Sequence, residues 1–142
     1  MLKGAKVGLR AIEEKDLPIL LEWRNRPEFR VFFREYRELS MTDQLAWYKS
    51  VSQRDSNARM FSIVRLSDNA LLGACGLCYL DLINRSADFS IYLGADNLYI
   101  DKTLAPDAAK VLMAYGFDEL NLHRVWTEIY SIDEKKKEFF TN

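Results

Sequence analysis

The sequence predicts a mixed α/β domain of the α+β kind, built on one central, mostly antiparallel sheet with helices on both faces. Three observations lead there. Residues 60–65 (MFSIVR), 71–80 and 87–93 are strand-like runs separated only by Ser67-Asp68-Asn69 and Asn84-Arg85-Ser86, both with turn chemistry, so they form an antiparallel meander. The fourth strand, 87–93, is followed by a helix and then a fifth strand, 124–130 (RVWTEIY), which is the pattern of a right-handed parallel crossover. The remaining apolar periodicity is helical.

Taken in order, residues 6–10 (KVGLR) form the first strand. A helix over 13–23 follows, with Leu17, Leu20, Leu21 and Trp23 on its apolar side and Glu13, Glu14 and Asp16 in its first turn. Residues 23–40 alternate arginine with aromatics, and Pro27 interrupts any long helix. Ser40 caps a second helix over 42–53. Gly73 and Gly76 mark close backbone approach in the 71–80 strand. In the crossover helix, 105–120, Pro106 suits the first turn, and Leu104, Ala108, Val111, Leu112 and Tyr115 recur at helical spacing. A last helix spans 133–140. The order is β-α-α-β-β-β-α-β-α, one domain over residues 1–142.

Composition excludes several classes. A formal net charge of −1 argues against a mainly electrostatic nucleic-acid binder. No apolar run approaches the roughly 18 residues that span a bilayer, and MLKGAKVGLR is no signal peptide, so a cytoplasmic protein without a membrane partner is expected. Cys75 and Cys78 are spaced C-x-x-C inside an apolar run, with one histidine in the chain and no further cysteine, so they read as core rather than a redox or metal pair. No metal is expected.

A strand feeding the N-terminus of a helix is a place to hold phosphate, because first-turn N–H groups lack partners and the helix dipole is positive there. The segments LRAIEEKDLPILLEWRN (9–25), ADFSIYLG (87–94) and LAPDAAKVLMAYGFDELNLHRVWTEIYSIDE (104–134), in this order, resemble the GNAT superfamily of acyl-CoA-dependent N-acetyltransferases, nearest its ribosomal-protein and amino-sugar branch. The resemblance covers nearly the whole chain. It implies an N-acetyltransferase with acetyl-CoA as co-substrate and a GNAT-like sheet. It also implies a bulged fourth strand whose backbone at Phe89, Ile91, Tyr92 and Leu93 bonds the pantetheine arm. The pyrophosphate loop maps onto Lys102, Thr103, Leu104 and Ala105. Only Ala105 fits the family pattern: Ile100 stands for Arg or Gln, Thr103 for glycine, and Asp101 places a negative charge where glycine is usual. Asp133 takes a family asparagine position, capping the last helix and touching the cofactor. Phe140 takes that of a tyrosine general acid and has no hydroxyl to serve. The family continues with two further strands, so the fifth strand is expected at an open edge able to pair with a second copy.

For the chemistry, the resemblance makes Glu35, on the segment that lines the acceptor site in relatives, and Asp88, at a strand position where relatives carry an acid, the candidate general bases or amine anchors. The plainer readings are a solvated or arginine-paired carboxylate at Glu35 and a carboxylate paired with Arg85 at Asp88, and transfer through ordered water needs no dedicated base. Arg24, Asn25, Arg26 and Tyr36, supported by Arg30, Arg34 and Phe33, could hold an anionic acceptor through bidentate bonds and stacking, with a solvated basic loop as the plain alternative. That pattern favours a nucleotide-linked amino sugar as acceptor. A protein N-terminal amine, or a domain that binds without catalysing, are the alternatives. His123 reads as structural.

Overall fold

The computed structural model describes residues 1–35 and 37–141. Its sheet has six strands in sequential order: β1 (Leu2–Lys3), β2 (Val7–Ala11), β3 (Arg59–Arg65), β4 (Leu71–Asp81), β5 (Ser86–Leu93) and β6 (Arg124–Trp126). All neighbours are antiparallel except β5 and β6, which run parallel across α4 (Leu104–Ala114). This is the predicted meander and crossover, with the short β1 added ahead of it. Asp107 of α4 explains the added turn. Its carboxylate accepts the N–H groups of Ala5 (3.1 Å), Lys6 (2.7 Å) and Val7 (2.9 Å), pinning the chain between β1 and β2 to the helix.

Both faces of the central strands are covered, as their near-continuous burial at 72–77 and 87–93 requires. Alternation along the pleat puts Phe61, Cys75, Leu77, Phe89 and Ile91 toward α4 and α5 (Glu134–Thr141). There Phe61 meets Tyr115 and Phe89 meets Phe140, both edge to face. Cys78, Asp88, Ser90 and Tyr92 face the other way, toward α1 (Leu17–Asn25), α2 (Pro27–Arg30) and α3 (Met41–Val51). Gly94 lets the chain pass Trp23 of α1, since a Cβ there would lie 2.1 Å from the indole.

Three predicted elements change length for physical reasons. The first helix is split: Glu14–Asp16 forms a 3-10 turn and α1 begins at Leu17 with Pro18 in its first turn. The crossover helix widens after Ala114 into a π turn over Tyr115–Glu119, where the Leu120 N–H reaches back five residues to Tyr115, and Gly116 sits against Leu77 and Leu122. The predicted strand 124–130 keeps only three residues, because its ladder with β5 ends at Asp88.

Asp16 ties the start of α1 to the sheet. Its side chain is 4% exposed and takes both ends of the Arg10 guanidinium at 2.7 and 2.9 Å, with further bonds from the Glu13 N–H and the Ser62 hydroxyl. Burial pushes its pKa up, but the Arg10, Glu13 and Ser62 hydrogen bonds outweigh that and hold it below the usual carboxylate range. The folded value therefore lies below the unfolded one. The stabilisation is complete above the unfolded pKa and is lost as pH falls through the folded pKa. Asp16→Ala should cost about 2–3 kcal/mol in urea unfolding at neutral pH, and the gap from the parent should narrow under acid conditions.

Candidate functional site

The site grows from a fork in the sheet. Strands β5 and β6 pair through Ser86↔Arg124, Ala87↔Val125 and Asp88↔Trp126, then separate. Past the fork the Thr127 hydroxyl donates to the Phe89 carbonyl at 3.1 Å, and the Leu93 N–H donates to the Tyr99 carbonyl at 2.8 Å. Alternation turns the Ile91 N–H and C=O to the same side, where no strand faces them. Of the stretch expected to hold a pantetheine arm, Ile91 is thus the residue with main-chain groups to offer; Leu93 has spent its N–H, Phe89 its carbonyl, and Tyr92 points its ring at Phe33 on the opposite face. The expected bulge in this strand is absent. Register with β4 is unbroken from Gly73↔Leu93 to Cys78↔Asp88, and the irregularity falls in β4, where Tyr79 and Leu80 stand opposite Ala87 alone. Tyr79 has φ +48°, an uncommon conformation for an aromatic, and its ring is 58% exposed beside Asp88's strand.

A cavity of about 250 Å³ opens on this side of the fork, walled by Phe32, Phe33, Tyr79 and Tyr92 and carrying Arg24, Arg34, Glu35, Asp88, Glu128 and Lys136. Asp88 is 5% exposed. Its Oδ2 pairs with Arg34 Nη1 at 3.0 Å, and its Oδ1 is buried without a hydrogen-bond partner among the described residues. Arg34 Nη2 also reaches Glu128 at 3.3 Å, and the guanidinium lies 5.5 Å from the Tyr79 ring centre. Burial raises the Asp88 pKa, and the Arg34 charge offsets only part of that. Lys136 of α5 closes the inner end, its Nζ 5.3 Å from the Tyr99 ring, and burial lowers its pKa despite Asp133 and Asp88 nearby.

Glu35, the other candidate base, also borders this cavity but is engaged elsewhere. Arg37 binds both its oxygens at 2.8 Å, and these hydrogen bonds bring its pKa down to about 2, leaving a weak base. The predicted acceptor residues are likewise committed. Asn25 donates to and accepts from the Leu39 backbone, clamping the loop between α2 and α3. Arg26 binds Glu22, Asn97 and the Gly94 carbonyl. Arg30 pairs with Glu38, and Arg24 lies over the Trp47 ring at 5.7 Å while bordering the cavity. Tyr36 lies outside the described residues. Cys75 and Cys78 fall on opposite faces of β4, with burial raising both thiols, Cys78 to about 11. His123 is exposed rather than packed.

A second cleft, about 750 Å³, lies between α4 and α5. Pro106, Ala109, Met113, Phe139 and Phe140 make it apolar, and Lys102, Lys110 and Lys135 ring it. Such a cleft fits the pantetheine and nucleotide of acetyl-CoA. The helix N-terminus at its end does so only conditionally. Asp101 occupies it, accepting the N–H groups of Leu104 (3.1 Å) and Ala105 (2.8 Å) and the Thr103 hydroxyl (3.1 Å). Pro106 has no N–H to add. The expected phosphate donors Thr103, Leu104 and Ala105 therefore serve an internal carboxylate, and Lys102 is paired with Glu138 at 3.4 Å. Asp133 is turned inward as well: it is 1% exposed, caps α5 through the Lys136 N–H (3.1 Å) and accepts from the Tyr99 hydroxyl (2.8 Å). It holds the last helix rather than a ligand.

Sequence reasoning missed Glu128, Lys136 and Tyr79 as site residues. Glu128 and Lys136 belong to segments read as strand and solvated helix, and Tyr79 reaches the site through a bulge no local motif announces.

An Acetyltransferase (GNAT) domain family model matches residues 6–141. The chain is 29% identical over 136 residues to spermidine N(1)-acetyltransferase of Escherichia coli K12, covering 95% of this chain and 70% of that protein. It is 25% identical over 126 residues to an N-acetyltransferase, p20, of Bacillus licheniformis, covering 87% and 70%. Its fold superposes with a TM-score of 0.83 on spermidine N-acetyltransferase from Vibrio cholerae crystallised with CoA and spermine, at 24% identity over 95% of this chain and 78% of that one.

Asp101 supplies a direct test of the cleft. Asp101→Gly removes a charge from the phosphate cradle and should tighten CoA binding in calorimetry about fivefold, the ~1 kcal/mol that two charges exchange near solvent. The same change should lower stability by about 1 kcal/mol through the lost cap, so affinity and stability move in opposite directions.

Proposed function

The chain belongs to the GNAT acetyltransferase family and is an N-acetyltransferase using acetyl-CoA; on that premise we propose that its acceptor is a short aliphatic polyamine. The observation that carries this reading is the buried Asp88 carboxylate, one oxygen unpartnered, set in a cavity with aromatic walls. An uncompensated buried carboxylate oxygen is complementary to an ammonium. The relative at 29% identity is named for spermidine, which agrees. The nucleotide-sugar acceptor expected from the arginine-rich segment gives way, because Arg26, Arg30 and Arg34 are each held by carboxylates of the same chain.

The chemistry follows from this geometry. Acetyl-CoA supplies an activated thioester: an amine that has lost its ammonium proton attacks the carbonyl, the C–N bond forms as the C–S bond breaks, and CoA leaves as a thiolate that takes up the proton the nitrogen sheds. Asp88 Oδ1 accepts a hydrogen bond from the incoming ammonium and fixes the nitrogen beside the fork. Its raised pKa brings the carboxylate closer to the amine in basicity, so it can take that proton. Ile91 offers main-chain groups at the fork to hold the acyl donor in register. Phe140 meets Phe89 edge to face and packs α5 against the far face of β5.

Initial-rate assays with acetyl-CoA and a panel of acceptors test the reading. Spermidine or spermine should be acetylated in preference to a nucleotide-linked amino sugar or an N-terminal peptide; turnover of the sugar or peptide alone would contradict it. Asp88→Asn should lower kcat/KM for spermidine by about 10²–10³-fold. Because deprotonated Asp88 is the active form and its pKa is raised, the parent's rate should fall on the acid side at a pH above the ordinary carboxylate range.

A further inference from the structure

The cation already seated in the acceptor cavity is the protein's own. Arg34 bridges Asp88 Oδ2 at 3.0 Å and Glu128 at 3.3 Å, over the Tyr79 ring. Two carboxylates and an aromatic face make a receptor for any cation, an alkylammonium included. Asp88 Oδ1, on the same carboxylate, has no hydrogen-bond partner among the described residues. One carboxylate thus offers two places, one open and one filled from within.

We propose that Arg34 is an internal stand-in for the acceptor's second ammonium. The reacting amine binds the open Asp88 Oδ1; the next cationic nitrogen takes the guanidinium's seat between Asp88 Oδ2 and Glu128, and Arg34 swings out. The residue is built for such an exchange. Its side chain is 43% exposed, Glu128 is 70% exposed, and residue 34 lies in the irregular stretch between α2 and α3 rather than in a regular element. A monoamine can fill the open place but cannot displace the arginine, since it brings one charge for two seats. Glu128, with Asp88, therefore favours acceptors with two cationic nitrogens over those with one, and Arg34, which the second nitrogen must displace, limits how large that preference is. This rests on the polyamine reading above.

The test compares spermidine with butylamine as acceptors for the parent, Arg34→Gln and Glu128→Gln, separating KM from kcat. Arg34→Gln should lower the spermidine KM by about fivefold, the scale of a partly exposed ion pair, with a smaller change for butylamine and an unchanged KM for acetyl-CoA. Glu128→Gln, at an exposed position that folding does not depend on, should reduce the spermidine-to-butylamine preference by about the same factor. Thermal unfolding with added spermidine covers the case in which Arg34→Gln leaves buried Asp88 poorly paired: spermidine should raise the Tm of that variant more than of the parent. A spermidine KM that is unchanged or higher in Arg34→Gln, or a preference that is unchanged in Glu128→Gln, overturns the proposal while leaving the polyamine reading standing. No acetylation of spermidine by the parent overturns both.

Discussion

The architecture of the site depends on where the β5–β6 ladder stops. Three parallel pairs hold the strands together, and the last joins Asp88 to Trp126. Had pairing continued, the Ile91 backbone groups would be spent in the sheet. Because it stops, Asp88 sits at the apex of the fork, Ile91 keeps its polar groups, and the N-terminal end of α5 can bring Asp133 and Lys136 up to Tyr99. The charged cavity at Asp88 and the apolar cleft between α4 and α5 are the two spaces on which the proposed acyl transfer draws.

Burying Asp88 costs several kcal/mol of desolvation for an ionised group. Arg34 repays a part, and the remainder shows in the raised pKa and the unpartnered Oδ1. A fold under selection for stability alone would satisfy that oxygen; leaving it open is what an amine-binding site requires. The N-terminus of α4 uses the same device with reversed sign, Asp101 filling a place complementary to phosphate. In both places a side chain of the protein occupies ground suited to a ligand of its own charge.

Most of the fold was legible from local signals. Turn chemistry at Ser67–Asn69 and Asn84–Ser86 separated the meander strands, and apolar spacing in 104–115 located the crossover helix. What the sequence could not show were features set by distant partners. The end of β6 is decided by β5, and the bulge at Tyr79 by pairing with Ala87. Arg34 looked free because its partners, Asp88 and Glu128, lie more than fifty residues away. Asp88 was readable from its strand position, whereas its partner was not: Arg85 is next to it in sequence, Arg34 in space. Asp101 carries a local signal readable as a cap, an aspartate three residues ahead of Leu104, whereas comparison with the family's glycine makes it a repulsive charge.

The most direct measurement follows the side-chain carboxyl carbons by NMR while spermidine is added to the protein at neutral pH. If the acceptor docks at the fork, the Asp88 Cγ resonance shifts and saturates together with Glu128 Cδ, while Glu35, held by Arg37, stays in place. Saturable shifts confined to exposed acidic residues, with Asp88 unmoved, would contradict the assignment of this carboxylate as the amine site.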